Sequence, residues 1–318
     1  MSLSIIGTGS ALPAQILKND DLTAFLDTSD EWIRTRTGIE ERHILGENEG
    51  VTDLAEKAAL AALSSAGLHA KDIDYILCAT LAGDYITPGL GCVVQERIGA
   101  TCPALDVNGA CSGFLYALDV ADCMLSKGKV KRILLIAAEG LSRISDWTDR
   151  ATCVLFGDGA GAVVLESGDD LLYMNVTVQG DAKPLHALFP SGNFPGKERT
   201  PDSYIRMEGS EVFKFAVRTI CSEIETALEQ TQIRPEQIKH VLLHQANLRI
   251  IDSARKKIGI PPENYRVNIS RVGNLSAASI PVLLDECNKS GQMSSGDLFI
   301  LAGFGAGFTS GTAILRWK

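Results

Sequence analysis

Short apolar runs alternate along the chain with longer stretches in which apolar residues recur every three to four positions, the pattern of buried strands interleaved with helices. The runs at 75–80, 132–138, 160–166, 239–243, 298–301 and 312–316 predict strands. The periodic stretches 52–66, 90–98, 111–127, 211–230, 249–258 and 277–290 predict helices. Within the third of these, Phe114, Leu115, Leu118, Val120, Met124 and Leu125 fall on more than one face, so this helix reads as buried inside the protein. The fold class is therefore α/β. The two halves echo each other. An apolar run at 133–138 precedes the glycine-rich run 156–165, and a run at 298–302 precedes the glycine-rich turn 303–308 and a last apolar run at 313–315. This predicts a duplication joined near Ser167-Gly168-Asp169-Asp170, with halves 1–170 and 171–318. One long irregular stretch, 189–204, is rich in proline and glycine, and loops of that length often act as lids.

Composition narrows the function classes. A length of 318 residues supports a large core, and a net charge of −9 argues against nucleic acid as the main partner, because phosphate binding needs a basic surface. The eight cysteines contain no CxxC pair, which fits neither a zinc site nor a disulfide framework and predicts a reducing compartment. No basic n-region opens the chain, and no apolar run approaches the ~20 residues of a membrane span. A cytoplasmic protein without a membrane partner is expected.

Candidate chemistry gathers at three polar residues. Cys111 sits where the extended run 104–107 gives way to a helix, among Gly109, Ala110, Ser112 and Gly113. A helix N-terminus favours an anion, and a thiol there can have its pKa lowered from about 8.5 to roughly 3.5–7.5. The bland alternative is a buried core thiol. His244 ends the strand-like run 240–243, at the carboxyl end where α/β proteins place ligands; a structural histidine is the alternative. A metal pair with His240 has suitable spacing, but the intervening residues are strand-like and no acidic ligand accompanies them, so no metal is expected. Asn274 follows Gly273 in a tight turn and by default is a turn or N-cap residue.

Together these segments resemble a family. Asn108-Gly109-Ala110-Cys111-Ser112-Gly113-Phe114, His244-Gln245-Ala246-Asn247, Gly273-Asn274-Leu275-Ser276-Ala277-Ala278 and Gly303-Phe304-Gly305-Ala306-Gly307-Phe308-Thr309 resemble β-ketoacyl-acyl carrier protein synthase III, of the thiolase superfamily. The likeness runs from Thr28-Ser29-Asp30-Glu31-Trp32-Ile33 to the last strand. It implies a thiolase-like five-layer αβαβα fold from two duplicated halves, a homodimer, and catalysis by Cys111, His244 and Asn274. Cys111 would take an acyl group from acyl-CoA and pass it to malonyl-acyl carrier protein with loss of CO2. The backbone N–H groups of Cys111 and Ala306 would form the oxyanion hole. CoA thioester is a substrate, so no cofactor is implied. Trp32 and Arg150 match the positions that sandwich the adenine of CoA, and Arg36 lies close to the nucleotide. Thr28, Gly209, Phe213, Ala246 and Asn247 match the pantetheine tunnel. Lys214, Arg249, Lys256 and Lys257 match the surface that docks the acidic carrier protein.

The likeness loosens at Val272, where the family often has histidine or an aromatic, and at Ser310, where tryptophan is common. Thr87 stands where a partner subunit often sends phenylalanine into the acyl pocket. With Leu141, Phe156, Leu188, Ile205 and Phe304 as further walls, acetyl or a somewhat larger primer is expected. Three rival readings exist: a secondary-metabolism relative with the same triad, a thiol hydrolase, and a non-catalytic interaction protein. The basic patch, the twin halves with the Trp32 and Arg150 pair, and the complete triad count against them in turn.

Overall fold

The computed structural model describes residues 2–189 and 203–318. Its strands are β1 (Ser2–Ala11), β2 (Gln15–Lys18), β3 (Glu41–Ile44), β4 (Tyr75–Ala79), β5 (Ala104–Val107), β6 (Arg132–Gly140), β7 (Asp158–Gly168), β8 (Leu171–Asp181), β9 (Leu185–Ala187), β10 (Ile205–Met207), β11 (Ile238–Leu243), β12 (Leu298–Gly305) and β13 (Gly307–Arg316). The helices are α1 (Asn19–Leu22), α2 (Asp30–Thr37), α3 (Val51–Ser65), α4 (Leu90–Arg97), α5 (Gly113–Ser126), α6 (Gly209–Thr231), α7 (Leu248–Lys257), α8 (Ile269–Val272) and α9 (Ser279–Lys289).

Two large sheets form, and their pairing repeats. The first has the order β1-β7-β6-β4-β5 and the second β8-β13-β12-β11. In each, an edge strand runs antiparallel to a long strand, which runs antiparallel to the next, which in turn runs parallel to the one after. The boundary expected at 170/171 falls between β7 and β8, where Asp170 N donates to Leu3 O at 3.2 Å and Arg316 N donates to Asp170 O at 2.8 Å. Between the sheets lie α5 and α9, whose Phe114, Leu118, Ile280 and Leu284 share one buried cluster with Leu135 and Val163 of the first sheet and Phe299 and Leu301 of the second. Helices α3 and α4 cover the outside of the first sheet, and α6 and α7 the outside of the second. This is the five-layer αβαβα arrangement of the thiolase fold.

Local chemistry explains the elements. In β6 every residue after Arg132 is buried, as a central strand covered on both faces requires. Helix α3 starts where Asp84 accepts from Val51 N at 3.0 Å and Thr52 N at 2.7 Å, satisfying donors that a helix leaves open. Two expected helices start late. Ala110–Ser112 and Ser276–Ala278 are single 3-10 turns feeding α5 and α9, and Ala110 and Ser276 both have φ of 49°. A left-handed residue cannot continue a helix. The periodicity also missed β1, because Gly7 and Gly9 interrupt its apolar pattern. They are required: a Cβ on Gly9 would sit 2.3 Å from Ala58 O of α3. Of the lid expected at 189–204, residues 190–202 lie outside the described residues. Its flanks β9 and β10 pair antiparallel, Ile205 opposite Ala187.

Helix α9 rests on β7 at Gly161, where an added Cβ would fall 2.7 Å from Val282 N and 2.8 Å from Pro281 C. Backbone atoms cannot step aside as a side chain can. Gly161→Ala is therefore expected to destabilise the protein by about 1–3 kcal/mol, the range for overpacked cores, read as a lowered melting temperature. An unchanged melting temperature would show that the layers are looser than this contact implies.

Candidate active site

Facing turns from the two halves build the floor of an apolar pocket of about 350 Å3. The first turn is Ala110–Ser112, with Asn108 Oδ1 accepting from Ala110 N at 3.1 Å, and Cys111 lines the pocket. The second is the β12–β13 turn, pressed so close that a Cβ on Gly305 would lie 2.7 Å from Cys111 N and 3.1 Å from Ser112 N. Only glycine permits that approach. The Thr309 hydroxyl ties the turns together, 3.0 Å from both Gly109 O and Ala306 O. Cys111 and Ala306, the expected oxyanion-hole pair, thus face the same pocket from opposite halves.

His244 enters at the carboxyl end of β11, where its N–H donates to Ala302 O at 2.8 Å and prolongs the pairing with β12. Its ring meets Phe304 edge-on at 5.4 Å. The side chain is buried, neither ring nitrogen has a hydrogen-bond partner among the described residues, and burial pushes the imidazole pKa down to about 3. The ring is neutral at physiological pH, with one N–H to donate. Asn274 is fixed by its backbone, N to Leu155 O at 2.9 Å and O from Gly157 N at 3.0 Å. Its Oδ1 accepts from Ser276 N at 2.9 Å, so the amide NH2 is left as a donor at the pocket.

The lowered thiol pKa expected at Cys111 is not what the free pocket provides. The residue is half-buried, yet its thiol is enclosed by protein, and desolvation together with the nearby Glu139 carboxyl pushes it up to about 11. Burial outweighs the helix terminus, which is also displaced: α5 proper begins two residues later, at Gly113.

At the mouth, Trp32 and Arg36 line the pocket, with the guanidinium of Arg36 4.6 Å from the indole centroid. Arg150 also packs on Trp32, at 5.1 Å, and hydrogen-bonds Asp27 O. The two residues expected to sandwich a ring are thus already in contact with each other. Gly209, Phe213, Ala246 and Asn247 line the same pocket. The Asn247 side chain is occupied, however: its Oδ1 caps α7 at Arg249 N and its Nδ2 donates to Arg36 O. Thr28 lies outside the lining, half-buried, its hydroxyl without a partner.

Of the residues expected as acyl walls, Leu141, Phe156, Ile205 and Phe304 line the pocket and Leu188 does not. Leu188 is 51 % exposed and lies outside the lining, to which this segment contributes Leu185, His186 and Ala187 instead. Thr87 is exposed on the loop before α4 and does not reach the pocket of its own chain. Ser310, in place of tryptophan, bonds Glu223 at 2.5 Å and Thr177 at 2.6 Å, while Val272 is fully buried in the central core. Lys214, Arg249, Lys256 and Lys257 are exposed on α6 and α7, Lys214 paired with Glu211 at 2.9 Å and Arg249 resting on Phe213 at 5.6 Å.

The sequence reading missed Ser276 and Glu139. Ser276 sits inside a quoted motif but looked like filler. Glu139 has a legible signal, a carboxylate ending an otherwise apolar buried strand.

Comparison with known proteins agrees along the chain. The family model for the C-terminal part of 3-oxoacyl-[acyl-carrier-protein] synthase III matches residues 228–317, and that for 3-oxoacyl-[acyl-carrier-protein] synthase III matches residues 105–181. The β-ketoacyl-[acyl-carrier-protein] synthase III of Xanthomonas campestris is 44% identical over 98% of each chain. Among solved structures, 3-oxoacyl-[acyl-carrier-protein] synthase III of Aquifex aeolicus superposes with a TM-score of 0.93 at 44% identity, covering 99% of this chain and 100% of that one. The priming β-ketosynthase of the R1128 polyketide pathway gives a TM-score of 0.93 at 29% identity, covering 100% of this chain and 96% of that one.

The low His244 pKa predicts a pH dependence. Between about 6.5, the ordinary histidine value, and 3 the unfolded chain binds a proton on this residue that the folded chain refuses. Stability therefore falls as pH falls through that window, by up to about 1.4 kcal/mol per pH unit from this group. Thermal melts of His244→Gln between pH 6.5 and 4.5 should show a flatter acid limb than the wild type. Parallel limbs would mean that the ring is solvated in the folded state.

Proposed function

Because this chain belongs to the β-ketoacyl-[acyl-carrier-protein] synthase III family, we propose how its pocket divides a two-step condensation among Cys111, His244 and Asn274. The enzyme initiates fatty-acid synthesis, moving an acyl group from acyl-CoA to malonyl-acyl carrier protein with release of CoA and CO2. The observation that carries the assignment of roles is the convergence of the three side chains on one apolar pocket whose histidine is neutral.

Cys111 Sγ attacks the thioester carbonyl of acyl-CoA, and CoA departs, leaving an acyl-enzyme. The N–H groups of Cys111 and Ala306 take the oxyanion, and in a dry pocket such donors contribute far more than in water. Malonyl-acyl carrier protein then binds and loses CO2. The electron pair left behind becomes an enolate, so no strong base is required. The His244 N–H and the Asn274 NH2 hold the thioester oxygen as charge develops there, and the carbanion attacks the acyl carbon on Cys111. A histidinium is unnecessary, and burial disfavours it.

Trp32, Arg36 and Arg150 receive the nucleotide of CoA, and Gly209, Phe213, Ala246 and Asn247 its pantetheine. Lys214, Arg249, Lys256 and Lys257 attract the acidic carrier protein, mainly raising its association rate. The apolar walls at Leu141, Phe156, Ile205 and Phe304 fit a primer larger than acetyl. A second copy of the chain completes the enzyme along the edge strand β5. Support comes from the exposed Leu105 on that edge and from Tyr85 and Ile86 on the loop that carries Thr87. Among the described residues no helix is long and apolar enough to cross a membrane, and we place the enzyme in the cytoplasm with its CoA and carrier substrates.

Intact-protein mass spectrometry tests this reading. Acetyl-, isobutyryl-, hexanoyl- and longer acyl-CoAs are mixed with the enzyme, followed by malonyl-acyl carrier protein. Acylation at Cys111 that is discharged into a β-ketoacyl product is expected, with the primers ranked by rate. Acylation lost only to water would favour a thioesterase. His244→Ala and Asn274→Ala should still acylate but condense about 10²–10³-fold more slowly, as for lost oxyanion donors. Condensation at the wild-type rate by either would remove that residue from the scheme. Arg249→Glu should slow the carrier-dependent step far more than acylation, and equal slowing of both would count against docking.

A further inference from the structure

Behind the Cys111 turn lies a group that the scheme above does not use. Glu139, at the carboxyl end of β6, is fully buried. Its Oε2 accepts from Leu81 N and Ala82 N, both at 3.1 Å, with the Thr80 hydroxyl at 3.5 Å. Its Oε1 has no hydrogen bond of ordinary length among the described residues, with the Ser276 hydroxyl and Ala277 N near the carboxyl. Beside it is Ser276, 1 % exposed, which lines the pocket and whose hydroxyl is likewise buried without a partner. The Ser276 hydroxyl neighbours both the Glu139 carboxyl and the Cys111 thiol, without a bond of ordinary length to either. Two unpartnered buried oxygens beside a nucleophile are an expense that a purely structural arrangement would avoid. Hydrogen bonds of a reacting set are often long before substrate binds. The positive φ of Ser276, 49°, fixes the residue in a conformation that serine rarely adopts.

We propose that Glu139, acting through the Ser276 hydroxyl, accepts the thiol proton of Cys111 during acylation and returns it when the β-ketoacyl product forms. In acylation the Cys111 S–H bond breaks as the bond from sulfur to the acyl carbon forms. That proton passes to Ser276 Oγ while the serine's own proton passes to Glu139 Oε1. The pair of the cleaved C–S bond leaves with CoA, whose thiolate takes a proton from solvent. In condensation Cys111 departs as thiolate and the relay runs backward, restoring thiol and carboxylate. One proton from solvent is taken up per turnover, matching conversion of the malonyl carboxylate to CO2.

Relative basicity supports the assignment. The alternative acceptor, His244, is a very weak base, pushed down to about 3, whereas burial pushes the Glu139 carboxyl up to about 7. Among the described residues no lysine, arginine or histidine pairs with Glu139. The other titratable groups nearby are Cys111 and, one strand position beyond on β7, Asp158, which is taken up by Ser142 and Leu45 N. The inference rests on the reading of Cys111 as the acyl acceptor.

The test is single-turnover acylation of Cys111 by isobutyryl-CoA or acetyl-CoA between pH 5.5 and 9, with alkylation by iodoacetamide in parallel. Wild-type acylation should rise with pH through about 7. Glu139→Gln, whose amide oxygen still accepts from Leu81 and Ala82, should acylate about 10²-fold more slowly or worse and lose that limb, the scale of a lost acid or base. Its alkylation, which needs only preformed thiolate, should instead speed up, because a negative neighbour has gone. Ser276→Gly, which tolerates the positive φ, should slow acylation similarly, and the double variant no further. Wild-type acylation in Glu139→Gln, a retained limb near pH 7, or loss of acylation and alkylation together would each overturn the proposal. Failure of the wild type itself to acylate would instead remove the reading of Cys111, and this inference with it.

Discussion

The site exists because two turns from opposite halves lie backbone against backbone. Gly305 approaches the Cys111 turn so closely that a single methyl group would fill the gap, and from that contact the other placements follow. The turn after β12 sets Ala306 across from Cys111, β12 holds β11 in parallel register, and that register places His244 beside Phe304. On the other side the Asn274 loop is tied to the segment before β7 by two main-chain hydrogen bonds. Each reacting side chain is therefore located by main-chain geometry, which side-chain motion can hardly disturb.

Burial sets the electrostatics of the pocket. The thiol is protonated, the imidazole neutral and the Glu139 carboxyl close to its midpoint at neutral pH, all for the same reason: little water reaches them. Such a cavity is inert until a substrate brings its own dipoles. The charged groups stand at the rim, where Arg36, Arg150, Arg249 and the lysines of α6 and α7 are solvated. Attraction is thereby separated in space from reaction.

Much of this was legible in the sequence where one cause dominates. The buried strands β4, β6 and β11 read as apolar runs, and α6 and α7 as periodic stretches, because burial alone specifies them. Cys111, His244 and Asn274 were legible as residues in motifs. What failed was anything decided by competing effects. The thiol's protonation could not be read from its place before a helix, because desolvation and Glu139 oppose the helix and act from distant parts of the chain. The resemblance pairs Trp32 with Arg150 but does not reveal that Arg150 rests on Trp32 and on Asp27 O. Leu188 was misplaced because the short strand β9, all of which lines the pocket, ends one residue before it. Strand β1 went unseen because its glycines answer to α3, some fifty residues away.

Helix α9 belongs to the second half by sequence but packs on β1 and β7 of the first. Its Asp285 receives the Thr8 hydroxyl at 2.8 Å, across 277 residues. A ribosome adding about 5–20 residues per second needs on the order of 15–60 s to travel that distance. Throughout that interval the inner face of the first strand has only α5 to cover it. The duplicated ancestor's halves have thus become interdependent during biosynthesis: neither finishes its interior before the chain is nearly complete.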